Sequence, residues 1–332
     1  MAGSGTAHLR RDETTALSVE DLVVEFPLGR GRTVHAVSGL SIDLLPGETL
    51  GILGESGCGK SSAGRAFLQL PPPTSGAVRL GDVELTGLRP GDVRRRRSKL
   101  QMIMQDPVSA LNPRRRVRHL VAEGLDIWGH DGTDRAGFVD EMLRAVGLDP
   151  DVVRDRRPHE LSGGQCQRVC IARALVLDPD VLICDEPVSS LDVSVQAQIL
   201  NLLERTRERY GLSMVFIAHD VAVVKGISDR VMVMYLGKTC EVLPSDGMEH
   251  RALHPYTRLL LESVPSRTAR LAASAVRGEA AGTTELPSPI DPPSGCRFRT
   301  RCPLATERCA AEEPLLRELR PGQFVACHHT EV

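Results

Sequence analysis

The sequence predicts an α/β protein built on a doubly wound, mostly parallel sheet, and three observations carry that prediction. Residues 49–53, 181–184 and 214–218 are short, near-continuous apolar runs, the pattern of strands buried on both faces of a parallel sheet. Each run is followed at once by polar or glycine-rich residues. Helical periodicity appears at 61–70, again at Cys166, Val169, Cys170, Ala174 and Leu177, and again at Val195, Ile199, Leu202 and Leu203. Alternating strand and helix signals belong to this class of fold. Ligands of open α/β sheets bind just beyond the carboxyl ends of the strands, so the segments after the three runs are expected to line one site.

Taken in order, residues 1–14 are small and polar and are expected to form a flexible tail. From Leu17 a β-type pattern runs through Val23, Val24, Val34, Ala36, Val37, Leu40, Ile42 and Leu44, broken by Pro27, Gly29 and Gly31. It predicts short strands joined by turns, an N-terminal antiparallel portion. Residues from about 106 to 165 carry helical patterns with few strand signals and are expected to form a helical subdomain within a core spanning 15–245. After that the character changes into a C-terminal extension, 246–332. Residues 266–281 are rich in Ala and Arg and 286–293 hold four prolines, which predicts a linker over about 266–292. A compact cysteine-rich tail, 294–329, follows.

Composition narrows the function. With 41% hydrophobic and 25% charged residues among 332, the chain is of ordinary globular type. Its 41 basic and 43 acidic residues leave a net charge of −2, and it has only one Trp, three Tyr and six Phe. Neither a basic footprint nor a set of base-stacking rings is available, so no nucleic-acid partner is expected. No apolar run approaches the ~18 residues of a membrane span, and the first residues lack an apolar signal core, which points to the cytoplasm. In that reducing compartment nine cysteines suggest thiol or metal chemistry before disulfides.

The sharpest motif is Gly54-Glu55-Ser56-Gly57-Cys58-Gly59-Lys60-Ser61, followed by Ser62. It fits the phosphate-loop pattern G-x-x-x-x-G-K-[ST] after a strand and before a helix. Glycines let the backbone curl so that N–H groups and the helix N-terminus face phosphate oxygens. Lys60 would reach the outer phosphates and Ser61 a Mg²⁺ ion. A chance match in a chain of this length is on the order of one in a hundred, so a mere glycine-rich turn carries little weight. Asp185 and Glu186 end the second apolar run, where an acidic pair is by itself only a loop start. Beside a phosphate loop, Asp185 can hold Mg²⁺ and Glu186 can polarise the attacking water. His219 ends the third run; alone it reads as structural, but its position at a parallel strand end favours function. Ser162, Gly163, Gly164 and Gln165 open an amphipathic helix. Ser162 could be no more than an N-cap; the functional reading is a second anion site, which makes sense facing a nucleotide on another subunit, because the phosphate loop occurs once.

These residues together resemble the ATP-binding subunits of ABC transporters. The resemblance covers residues 17 to about 240: the Walker A loop at 54–61, the Q-loop glutamine Gln105, the signature 161–165, Walker B ending at Asp185-Glu186, a D-loop Ser189-Ser190-Leu191-Asp192 and the switch histidine His219. Gln105-Asp106-Pro107 with Leu111-Asn112-Pro113, then His254-Pro255-Tyr256-Thr257 and the cysteine-rich tail, resembles the oligopeptide/dipeptide importer branch, which includes nickel importers. It implies a P-loop ATPase of ABC type, with Gln105, Glu186 and His219 catalytic, ATP on 54–62 and Asp185, and Mg²⁺ on Ser61, Gln105 and Asp185. It also implies two transmembrane permease subunits, a second ATPase subunit (a heterodimer favoured over a homodimer) and an extracytoplasmic solute-binding protein. The chain would then lie peripherally on the cytoplasmic face of the membrane. Two departures stand out: residues 29–34 lack the aromatic ring that family members usually stack on adenine, Phe26 being nearest, and Cys166 replaces a larger polar residue beside the signature. A soluble ABC ATPase of DNA repair or translation would carry paired cassettes or a long coiled coil, and neither is visible. The arginine runs 94–97 and 114–116 read as a solvated face, with docking on a membrane partner the alternative.

Cys296, Cys302, Cys309 and Cys327 are separated by 5, 6 and 17 residues and are expected to hold a metal. Zinc sites usually contain a tight C-x₂₋₄-C pair, which is missing here. Four thiolates on looser loops favour a 4Fe-4S cluster over Zn²⁺, and the tail resembles the one that binds such a cluster in the peptide-importer branch.

Overall fold

The structure is a computed structural model and describes residues 5–129, 134–263 and 286–330. Two long antiparallel strands, β1 (Leu17–Gly29) and β2 (Arg32–Leu44), form a hairpin in place of the expected short strands. Gly29 and Gly31, at φ 78° and 71°, turn the chain between them. Pro27 is tolerated inside β1 because the neighbouring strand β4 (Ser75–Leu80) pairs with β1 only as far as Val23. Beyond that point the free edge of β1 needs no donor. With β5 (Val83–Glu84) these make a four-stranded sheet in the order β2-β1-β4-β5.

The main sheet contains the three apolar runs as β3 (Thr49–Leu53), β7 (Val181–Asp185) and β8 (Ser213–Ala218), every residue of which is buried. Together with β6 (Leu100–Ile103) and β9 (Arg230–Tyr235) they pair in parallel. Strand period decides which core each residue joins. Ile183 and Ile217 pack with β1, β2 and the helix Lys60–Phe67, whereas Cys184 and Phe216 face the helical subdomain. That subdomain comprises helices Val117–Val121, Glu123–Trp128, Arg135–Ala145 and Pro150–Val153, leading into the helix Gly163–Leu175.

Three antiparallel strands complete the order β11-β12-β10-β9-β3-β8-β7-β6: β10 (Lys238–Pro244), β11 (Arg317–Arg320) and β12 (Gln323–Val325). The cysteine-rich tail is thus built into the main sheet, with Glu241 opposite Val325 and Val242 opposite Phe324. It covers a sheet edge that would otherwise stay open. Part of segment 1–14 is also anchored: His8 is buried on Ser41 O at 2.8 Å, and Arg10 pairs with Asp43 and Glu48. The expected linker lies mostly outside the described residues, but its last part is well placed, with Pro289 O accepting from His35 N at 2.9 Å. Proline cannot donate to a ladder, yet its carbonyl is a full acceptor.

Candidate functional site

The phosphate loop leaves the end of β3 and closes on the helix Lys60–Phe67. Gly59, at φ 102°, is the N-cap of that helix; a Cβ there would lie 2.0 Å from Ala36 O, and one on Gly54 would lie 2.2 Å from Met234 O. The first helical turn has no acidic residue and no side-chain cap, so its N–H groups stay open to an anion. Lys60 is 4% exposed and donates to Gly54 O at 2.7 Å and Glu55 O at 2.9 Å. The ammonium is therefore stored on the loop that would receive phosphate.

Strand ends bring the predicted acidic and polar groups to the same place. Ser61 Oγ donates to Asp185 Oδ1 at 2.7 Å, while Asp185 Oδ2 is buried without a hydrogen-bond partner. Burial pushes the Asp185 carboxyl up, against the pull of Ser61, Arg65 and Lys60. A buried carboxylate with one unpartnered oxygen beside a serine hydroxyl fits a divalent cation such as Mg²⁺. Glu186 sits next to it at φ 46°, a left-handed conformation uncommon outside glycine. Its Oε2 accepts from Gln105 Nε2 at 3.2 Å and lies 3.2 Å from His219 Nδ1. Glu186 is 7% exposed, whereas Gln105 and His219 reach solvent.

Two adjoining clefts open here. One of about 840 Å³ is lined by Glu55, Ser56, Gln105, Glu186, Ser189 and His219 among others. The second, about 290 Å³, adds Lys60, Ser61 and Ser62 and is walled by Phe26, Val34 and Pro289. Phe26, the nearest ring in the sequence, thus does line the cleft that holds the phosphate loop. Signature residues line neither cleft. Ser162 and Gly163 are exposed, and Ser162 closes a capping box with Gln165: Ser162 Oγ accepts from Gln165 N at 3.3 Å and Ser162 N donates to Gln165 Oε1 at 2.9 Å. Cys166 does not reach that surface. It is 1% exposed, with its thiol turned to Pro158 O.

Relatives 49% and 48% identical over 90% of this chain decide the family. The chain belongs to the ATP-binding subunits of ABC transporters.

The ABC transporter family profile matches residues 37–189, and the profile of the oligopeptide/dipeptide transporter C-terminal region matches 240–309. The chain is 49% identical to the oligopeptide transport ATP-binding protein OppF of Escherichia coli K12, over 90% of this chain and 92% of that one. With OppF of Salmonella typhimurium LT2 the identity is 48% over the same shares. Among solved structures, the dimeric bacterial ABC transporter cassette MJ0796 superposes with a TM-score of 0.64, at 26% identity, over 70% of this chain and 99% of that one. Like other ABC ATPases, this chain binds and hydrolyses ATP, and no helix among its described residues is long and apolar enough to cross a membrane.

Two contacts of this ABC ATPase were not anticipated by motif. Tyr256 Oη accepts from Glu55 N at 2.9 Å, and Arg301 pairs with both oxygens of Glu55. The fully buried Tyr256 explains the His254-Pro255-Tyr256-Thr257 motif: His254 caps the helix Pro255–Glu262, accepting from Tyr256 N at 3.1 Å, and buried Glu241 holds the N–H groups of Leu253 and His254. Burial lowers the His254 pKa to about 4, which keeps the ring neutral and able to accept. The four tail cysteines are free thiols. Burial raises Cys296 to about 11, and Cys296 N donates to Cys309 O at 2.8 Å. Cys309 Sγ also lies 3.3 Å from His329 Nε2. Among the described residues, no three His, Cys, Asp or Glu side chains are spaced to close on one metal ion as they stand.

Proposed function

We propose that the chain is one of two ATPase subunits of an importer for oligopeptides or dipeptides, working peripherally on the cytoplasmic face of two permease subunits fed by an extracytoplasmic solute-binding protein. Family membership and the names of the relatives, oligopeptide transport ATP-binding proteins, support the solute class. In this reading ATP lies in the cleft of Lys60, Ser61 and Ser62, its phosphates on the backbone of 54–61 and on Lys60. Ser61, Asp185 and Gln105 hold Mg²⁺, which offsets phosphate charge. Glu186 orients and polarises the attacking water; Gln105 and His219 position it through their shared oxygen. Ser162, Gly163, Gly164 and Gln165 serve the nucleotide of the second ATPase subunit in a head-to-tail dimer, a heterodimer in preference to a homodimer. Hydrolysis separates the two halves, and the helical subdomain passes the motion to the permeases.

The observation that carries this reading is the convergence of Gln105 and His219 on one carboxylate oxygen of Glu186, beside the Ser61–Asp185 pair. The affinity-tagged chain, pulled from detergent-solubilised membranes, is expected to bring two integral-membrane subunits with it. Recovery of ribosomes or DNA in their place would sink the importer reading.

For the tail, Cys296, Cys302, Cys309 and Cys327 are proposed to hold a 4Fe-4S cluster in a structural or redox-sensing role. Four free thiols on one short tail, with Cys309 O accepting from Cys296 N at 2.8 Å, are a donor set that a cationic centre could take up. The sequence gaps of 5, 6 and 17 residues favour the four-iron group over a single zinc ion, whose sites usually contain a tight C-x₂₋₄-C pair.

A further inference from the structure

Glu55 is the second residue of the phosphate loop, and its carboxylate lines the cleft adjoining that of Lys60, Ser61 and Ser62. Left alone it would repel a nucleotide's phosphates. Arg301 meets it with a two-pronged pair, Nη1 to Oε2 at 2.8 Å and Nη2 to Oε1 at 3.0 Å. The two side chains are 10% and 29% exposed, so the pair is better shielded than a surface ion pair. On its other side the guanidinium lies 5.7 Å from the ring centre of Tyr235 and 6.0 Å from that of Phe298. Tyr235, Tyr256 and Phe298 pack with centroids 4.7 to 5.3 Å apart. Tyr256 in turn accepts from the Glu55 N–H. Both the side chain and the backbone of Glu55 are therefore held by one aromatic and arginine cluster.

Half of that cluster, Phe298 and Arg301, is supplied from the tail. Phe298 and Arg301 lie in the loop between Cys296 and Cys302, turned so that Arg301 N donates to Phe298 O at 3.0 Å. Arg297 of the same loop ties it to the core, donating to Ser38 Oγ at 2.9 Å and to Leu236 O. Leu286 lies against Gly57, and Pro289 walls the nucleotide cleft. No motif of the ATPase core accounts for these contacts.

We propose that Arg301 is a positioning residue for ATP binding: from the loop between Cys296 and Cys302 it neutralises and holds Glu55, so that the phosphate loop receives a triphosphate with no unpaired carboxylate beside it. The proposal rests on ATP binding at residues 54–62. Its mark is charge compensation, which a purely structural role does not produce. Removing the guanidinium should weaken ATP, and removing the Glu55 charge as well should restore much of the loss.

The test is calorimetric titration of the full chain with Mg·ATP, with KM and kcat measured on the assembled transporter. Arg301→Met is expected to weaken ATP binding about tenfold, with KM rising and kcat nearly unchanged, and less so at high salt. The double variant Glu55→Gln/Arg301→Met is expected to return to within about threefold of wild type. A single variant that binds ATP normally, or a double variant as weak as the single, would overturn the proposal. If Arg301→Met does not fold, Arg301→Gln, alone and paired with Glu55→Gln, decides in its place: the single should weaken ATP and the pair should restore much of the loss, and a pair as weak as the single counts against charge compensation. A wild-type chain that failed to bind ATP would instead overturn the assignment of the nucleotide site.

Discussion

Ser61 and Asp185, far apart in sequence, share a 2.7 Å hydrogen bond that leaves Asp185 Oδ2 buried and unpartnered. Burial raises the Asp185 pKa. For a carboxyl raised on folding, the stabilising contribution is full below the unfolded pKa and is lost as pH rises through the folded value. The ionised carboxylate, favoured as pH rises, therefore costs stability until a cation meets it. Asp185→Asn is expected to raise the Tm of the nucleotide-free chain and to abolish the further rise given by Mg·ATP. Thermal scans with and without Mg·ATP check both, and an unchanged Mg·ATP shift would contradict the assignment.

Glu186→Gln should leave ATP binding intact and nearly abolish turnover, because the amide keeps the contacts of Gln105 and His219 but cannot polarise water as a carboxylate does. The loss is expected to be about 10²-fold or more. Steady-state hydrolysis with the partner subunits present is the measurement, and wild-type turnover would refute the role.

Ser162→Arg should block activity while ATP still binds normally to the same chain, since Ser162 is exposed and lines neither cleft of its own chain. Mixed dimers carrying the substitution on one side give the readout. Loss of binding in the mutated chain with the opposite site untouched would rule out the head-to-tail arrangement.

Phe26 is expected to act as a wall for the base. Phe26→Ala should weaken ATP by about tenfold, in line with base–aromatic stacking energies, and should leave pyrophosphate binding unaffected. Competition titrations with both ligands separate the two effects; equal weakening would mean the ring does not touch the base.

Anaerobically purified protein should be brown, absorb broadly near ~400 nm and contain about four irons per chain. Colourless protein with one tightly held zinc would decide for the mononuclear alternative. Metal-free protein with normal activity would remove the centre altogether.

Much of the core was legible because its signals are local. The three apolar runs are strands buried on both faces, and a fully buried parallel strand has no polar face to obscure it in sequence. Pro27 and the turn glycines resemble strand ends, so the sequence divides the N-terminal hairpin into shorter pieces; only pairing reveals that the Pro27 edge of β1 is free of β4. Phe26 was visible as the nearest ring, yet its place on the cleft depends on the hairpin register that sets it opposite Val34.

The residue types of the proposed site are legible in the sequence: a glycine loop, a lysine, a serine, an acidic pair, a glutamine and a histidine, each at or near a strand or helix end. Their side-chain types and local spacing suffice because each motif folds within a few residues of its strand. What surrounds those residues depends on the folded chain. The pairing of Arg301 with Glu55, the hydrogen bond of Tyr256 to the phosphate loop, the wall formed by Pro289 and the joining of β12 to β10 all bring together residues distant in the chain. Such contacts leave no periodic trace, because an arginine in a cysteine-rich loop looks the same in sequence whether it faces water or a carboxylate. Only the closing of the sheet's edge by the tail determines which of the two it meets.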